Sequence, residues 1–194
     1  MSTKELTVNA ITNVAVVVGS LRKESVNRKA ALALAKLAPE HLKLKIVEIG
    51  DMPHYDEDIE AAGAPESWTR FRNEIAASDA VLFVTPEYNR SVPGVLKNAV
   101  DVGSRPYGSS AWLGKPTAVM SLSPGALGGF GANHHLRQSL MCLGTPILSH
   151  PEAYVGGAFQ LFGDDGELVS DDTRKFFQSF IDAFSDWIAV SNAK

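Results

Sequence analysis

An α/β chain built on a five-stranded parallel sheet, with helices on both of its faces, is what this sequence encodes. Apolar runs at Val14–Val18 and Ala80–Val84 are unbroken rather than alternating, as suits strands covered on both sides. A helical pattern follows each run. Strand–helix–strand order gives right-handed crossovers, and those force parallel pairing.

Residues Met1 to Asn9 form a polar lead-in that is expected to fray, and Ile11 to Val18 is the first strand. An Ala/Leu-rich helix runs from Val26 to Leu37 and is stopped by Pro39. Leu42 to Val47 reads as strand two, and the acidic, turn-rich stretch Gly50–Asp58 as a loop. Pro65-Glu66-Ser67 opens a second helix with Trp68, Phe71 and Ile75 on one stripe. After strand three and the loop Thr85–Val92, Pro93 starts a third helix. Strand four leads through the glycine-rich stretch Ser123–Gly131 into a helix at Asn133–Cys142. Pro146-Ile147-Leu148 reads as the short fifth strand, and Asp171-Asp172-Thr173 caps a last helix reaching Ile188. Its stripe of Phe176, Phe177, Phe180, Ile181, Phe184 and Trp187 is core packing.

With 45% hydrophobic and 21% charged residues, positions 1–194 suit one soluble domain. A net charge of −4 argues against nucleic acid or an anionic membrane as partner, since both select basic patches. The single Cys142 excludes an internal disulfide and fits a reducing compartment. No apolar signal core or membrane-length run is present, so the expected location is cytoplasmic.

In doubly wound sheets ligands bind beyond the carboxyl ends of the strands, where strand order reverses. Three loops there are unusual. Gly19-Ser20-Leu21-Arg22-Lys23-Glu24-Ser25-Val26-Asn27 joins strand one to a helix N-terminus. Its hydroxyls, guanidinium and amide suit an anion, phosphate above all, although Ser and Asn also serve in an ordinary capped turn. The loop lacks the P-loop Gly-Lys-Ser/Thr ending, the Gly-x-Gly-x-x-Gly fingerprint and any cysteine nucleophile. It is therefore a loop that holds phosphate rather than attacking it. Thr85-Pro86-Glu87-Tyr88-Asn89-Arg90-Ser91-Val92-Pro93 is either a rigid surface turn or an array of fixed amides against a flat heteroaromatic ring. At Ser121–Gly129, small residues would let a planar ligand lie against the backbone beside Ser123, or serve only as a flexible connection.

Gly-Ser-Leu-Arg-Lys-Glu-Ser-Val-Asn at 19–27, Thr-Pro-Glu-Tyr-Asn at 85–89, Ser-Val-Pro-Gly-x-Leu-Lys-Asn-Ala at 91–99 and Ser-Pro-Gly-x-x-Gly-Gly at 123–129 resemble the NAD(P)H-dependent FMN reductase family. Within it the chain is similar to the bacterial quinone reductases also described as chromate reductases. The resemblance implies a flavodoxin-like three-layer sandwich and non-covalent FMN. It implies that Ser20, Arg22, Ser25 and Asn27 hold the phosphate. It further implies that Pro86, Glu87, Tyr88 and Asn89 contact the ring and ribityl chain, with Ser123 bordering the ring. NADPH or NADH would pass hydride to flavin N5, and a quinone would then take its place in ping-pong order. Chromate reduction would be incidental. The flavin carries the chemistry, so no catalytic side chain is named. Arg105 is a candidate for an anionic acceptor or the cofactor's phosphate, or else a solvated surface residue. Homodimers pairing into homotetramers are implied as well. The alternatives are reduction of azo dyes or free flavin, and a flavodoxin-type carrier that does not turn over NAD(P)H.

Other signals read as structural. His134 and His135 are adjacent, about 100° apart on a helix, without an acidic or cysteine partner at ligand spacing. Asp164-Asp165-Gly166 is a turn between extended segments, and Cys142 is buried filler. Asp51–Asp58 is either cleft rim or subunit contact.

Overall fold

The computed structural model describes residues 11–193, so the expectation for Met1–Asn9 lies outside it. Strands β1 (Thr12–Val18), β2 (Leu42–Val47), β3 (Ala80–Thr85), β4 (Thr117–Leu122) and β5 (Ala153–Val155) form one parallel sheet in the order β2-β1-β3-β4-β5. Helices α1 (Val26–Leu37) and α6 (Asp171–Asn192) cover one face. On the other face lie α3 (Glu66–Ala76), α4 (Gly94–Gly103) and α5 (Phe130–Cys142), while α2 (Glu57–Ala62) is a short helix that buries none of its residues. This is the flavodoxin-like sandwich.

Strand periodicity divides the core. Val14, Val16 and Val18 of β1 join Leu82, Val84 and Met120 against Phe177, Phe180 and Phe184 of α6. Ala15 and Val17, one residue out of phase, join Phe83 and Val119 against Trp68, Phe71, Leu96 and Leu136. Every residue of β3 and β4 is buried, the polar Thr85, Thr117 and Ser121 included, as in a sheet covered on both faces. Strand order reverses between β1 and β3, so the loops leaving them diverge around a crevice.

Three expectations need correction. The fifth strand is Ala153–Val155, paired with Met120–Leu122, and not Pro146-Ile147-Leu148. That earlier run makes only a single bridge, Ile147 to Thr117, before the chain bends at His150-Pro151; proline cannot donate to a ladder. The acidic stretch does not remain loop beyond Asp56. Its carboxylate accepts from the amides of Asp58 and Ile59 and starts α2. Cys142 is exposed rather than buried, because the apolar positions that α5 buries are Ala132, Leu136 and Leu140. In addition, α5 begins three residues earlier than its sequence pattern suggests, behind the left-handed Gly129, and Ser170, one residue upstream of the expected cap, accepts from Thr173 N at the start of α6.

Candidate functional site

The site is built where β1 ends. Gly19 donates its amide to Val84 O at 2.9 Å, which holds the outgoing loop against β3. A side chain on Gly19 would bring Cβ to 2.7 Å from Thr85 Oγ1 and 3.0 Å from Leu96 Cδ2, so glycine is required for this close approach. Ser25 caps α1 by accepting from Arg28 N at 3.3 Å. The first intrahelical bond is Lys29 N to Ser25 O, so the amides of Val26 and Asn27 are left as helix-terminal donors. Ser20, Ser25 and Asn27 are all buried.

Across the crevice, Tyr88 and Ser91 exchange backbone hydrogen bonds at 3.0 and 2.9 Å around Asn89 and Arg90. This two-residue hairpin is anchored from behind: Glu87 Oε2 accepts from Ala132 N in the first turn of α5 at 3.1 Å. From the third side, Ser123 N bonds Val155 O, and Ala158 N returns to Ser123 O. The left-handed Gly128 presses on the backbone of Tyr154, so closely that a Cβ there would sit 2.4 Å from Tyr154 C.

These three loops enclose a cleft of about 220 Å³ lined by Ser20, Arg22, Ser25, Val26, Asn27, Pro86, Glu87, Tyr88, Leu122, Ser123, Pro124 and Phe159. Eight of the expected residues are thus brought together. Asn89 stands next to them at the hairpin tip. Arg105 does not line the cleft: it follows the far end of α4, about 15 Å of helix away, with its guanidinium 5.8 Å over the Tyr55 ring. Phe159 was not anticipated. It lies just beyond β5, and with that strand misplaced nothing in the sequence marks the residue.

A flavin phosphate fits this cleft on the structure's own terms. Asn27 Oδ1 is buried without a hydrogen-bond partner among the described residues, a costly state unless a ligand meets it or the amide turns its NH₂ outward toward one. Arg22 lines the same end with no protein acceptor among the described residues. A roomier groove of about 570 Å³ separates α4 from α5. Its lysine, Lys97, is already paired with Asp101 at 2.7 Å, whereas the smaller cleft holds the buried Asn27 Oδ1, which has no partner among the described residues.

On the rim, Phe130, His134 and Tyr154 cluster with ring centroids 4.2 to 5.8 Å apart. Tyr154 donates its hydroxyl proton to Glu152 Oε1 at 2.8 Å, so His134 Nε2, 2.9 Å from the same oxygen, is the donor to it. His135 instead meets Ser91 Oγ at 3.0 Å. Partial burial first, and then Glu152, push the Tyr154 phenol up to about 12. Below pH 10 the folded and unfolded chains both keep this proton. Between 10 and 12 only the unfolded chain releases it, so stability falls as pH rises through that window. Melting curves from pH 9 to 12 are expected to decline less steeply for Tyr154→Phe than for the wild type; equal slopes would contradict the shift.

The family model described as NADPH-dependent FMN reductase matches residues 12–160. A quinone reductase of Pseudomonas putida is 68% identical over 181 residues, covering 93% of this chain and 97% of that one. A 2-hydroxy-1,4-benzoquinone reductase of a Burkholderia species is 45% identical over 90% of this chain and 95% of its own. Among solved structures, the flavoenzyme NAD(P)H:(acceptor) oxidoreductase FerB from Paracoccus denitrificans superposes with a TM-score of 0.86 at 48% identity, covering 92% of this chain and 97% of that one. The chain belongs to the NADPH-dependent FMN reductase family, whose enzymes use FMN and NAD(P)H.

Proposed function

We propose that this protein is an FMN-dependent NAD(P)H:quinone oxidoreductase acting on small-molecule acceptors. The observation that carries the proposal is the cleft at the β1/β3 switch point, with the Arg22 guanidinium and the Asn27 amide unpaired among the described residues at one end and a rigid hairpin at the other. The names of the P. putida and Burkholderia relatives support quinones as acceptors. Bound there, FMN would supply the two-electron chemistry between NAD(P)H and the acceptor, with hydride passage through N5 in ping-pong order and chromate as an incidental acceptor.

The chain's own residues bind and orient. Ser20, Arg22, Ser25 and Asn27, with the free amides of α1, hold the phosphate. Pro86, Glu87, Tyr88 and Asn89 fix the ring edge and ribityl chain; the amides free to donate are those of Glu87 and Asn89, since Pro86 has none and Tyr88 N bonds Ser91 O. Ser123 borders the ring, and Tyr88 and Phe159, both largely exposed, wall the mouth with aromatic surface suited to a planar acceptor. Glu87 keeps its carboxylate on α5 rather than serving as an acid or base. Dimers pairing into tetramers, and a cytoplasmic location where NAD(P)H is supplied, complete the proposal.

Purified protein is expected to be yellow, and anaerobic NADPH is expected to bleach its flavin band at about one equivalent per chain, with benzoquinone restoring it. A colourless protein that takes up no FMN would defeat the reading. Bleaching without catalytic turnover would leave an electron carrier.

A further inference from the structure

Two non-glycine residues in succession adopt left-handed backbone angles: Asn89, φ 50°, and Arg90, φ 64°. Left-handed geometry at both central positions is the signature of a type I′ hairpin, where Asn-Gly is the favoured pair. Asn tolerates the geometry; Arg at the glycine position strains it. The turn cannot relax, because α5 is packed against its back. A Cβ on Gly131 would come within 2.6 Å of Arg90 O and 2.9 Å of Glu87 Oε2. Strain held in place beside a ligand cleft points to a use for the side chain that imposes it.

Few protein groups compete for that side chain. Arg28, Arg70, Arg72 and Arg137 each have an acceptor at 2.9 Å or less. Among the described residues Arg90 reaches only Glu87 Oε1, at 3.5 Å, and its side chain is 73% exposed. Glu87 is itself committed to Ala132 N. The cofactor's phosphate is served from the opposite side of the crevice, by the loop after β1, so Arg90 is a cation left over at the ring end. Quinones are uncharged, whereas the nicotinamide dinucleotide brings a pyrophosphate and, in NADPH, a further phosphate dianion. A guanidinium fork matches phosphate oxygens in pairs.

We propose that Arg90 captures a phosphate of the nicotinamide dinucleotide at the mouth of the cleft, as a binding residue for the co-substrate. This rests on the oxidoreductase reading above. The test is equilibrium binding of NADP⁺ and of NAD⁺ to the FMN-loaded protein, by calorimetry at low and high salt, for wild type, R90G and R90K. R90G is expected to bind about tenfold more weakly and to lose most of the salt dependence, with R90K recovering part of both. Its melting temperature is expected to rise by about 2–4 °C, because glycine relieves the turn. Weakening for NADP⁺ alone assigns the 2′-phosphate, and weakening for both dinucleotides assigns the pyrophosphate. Equal affinity of wild type and R90G for both overturns the assignment, and so does a lower melting temperature for R90G. A wild-type protein that holds FMN yet binds neither dinucleotide defeats the oxidoreductase reading itself.

Discussion

Arg22→Ala protein is expected to leave purification pale, with FMN affinity weaker by about one to two orders of magnitude. Arg22 lines the phosphate end of the cleft with no protein acceptor among the described residues, so its removal deletes no hydrogen bond or ion pair among them. What disappears is a paired, charge-assisted donor to a phosphate dianion, which contributes about 1.5–3 kcal/mol, or roughly 10- to 150-fold in Kd. Ser20, Ser25, Asn27 and the α1 amides remain, so binding is weakened rather than abolished. The measurement is FMN fluorescence quenching on titration into apoprotein, with the melting temperature of the apoprotein as control. Apo wild type and apo variant should melt alike. Unchanged FMN affinity would remove the phosphate from this loop, and the quinone reductase reading would lose the observation that carries it.

How much of this was legible in the sequence depended on what each element buries. Strands β1 and β3 are covered on both faces over Val14–Val18 and Ala80–Val84, and burial on both faces writes an unbroken apolar run. The edge strand β5 has three residues, Ala153, Tyr154 and Val155, with the middle one half-buried. So short an alternation is weaker than the neighbouring Pro-Ile-Leu, which drew the assignment to the wrong place. Helix α2 buries nothing and therefore has no stripe to read; only Asp56 as cap and the acidic first turn announce it. The phosphate loop and the proline-bracketed turn were visible because their residue types are set by the ligand rather than by the core. The left-handed pair Asn89-Arg90 was not, since Arg there breaks the turn preference that would have revealed it. A residue chosen against its local preference is one whose conformation propensity cannot forecast.

Trp112→Ala is expected to be the most destabilising single change described for this chain, by about 3–5 kcal/mol. Trp112 belongs to no helix or strand, yet it is fully buried. Its ring lies 5.8 Å from that of Phe71 and 5.5 Å from that of Phe83, and its indole N–H donates to Val100 O at 2.9 Å. It thereby ties α3, β3 and α4 together from the connection ahead of β4. Contact with α4 is intimate: a Cβ on Gly103 would fall 2.5 Å from the ring, so the helix has been pared to glycine to admit the indole. Collapse into the vacated space is opposed by the parallel ladder of β1, β3 and β4, which keeps the cost toward the cavity-forming end of the range. Against a typical total of 5–15 kcal/mol, the variant should melt roughly 10 °C lower. Because Trp112 is remote from the phosphate loop, FMN binding by the folded fraction should be preserved. A variant that melted normally but lost FMN would mean that the indole supports the cleft rather than the core, contrary to its contacts.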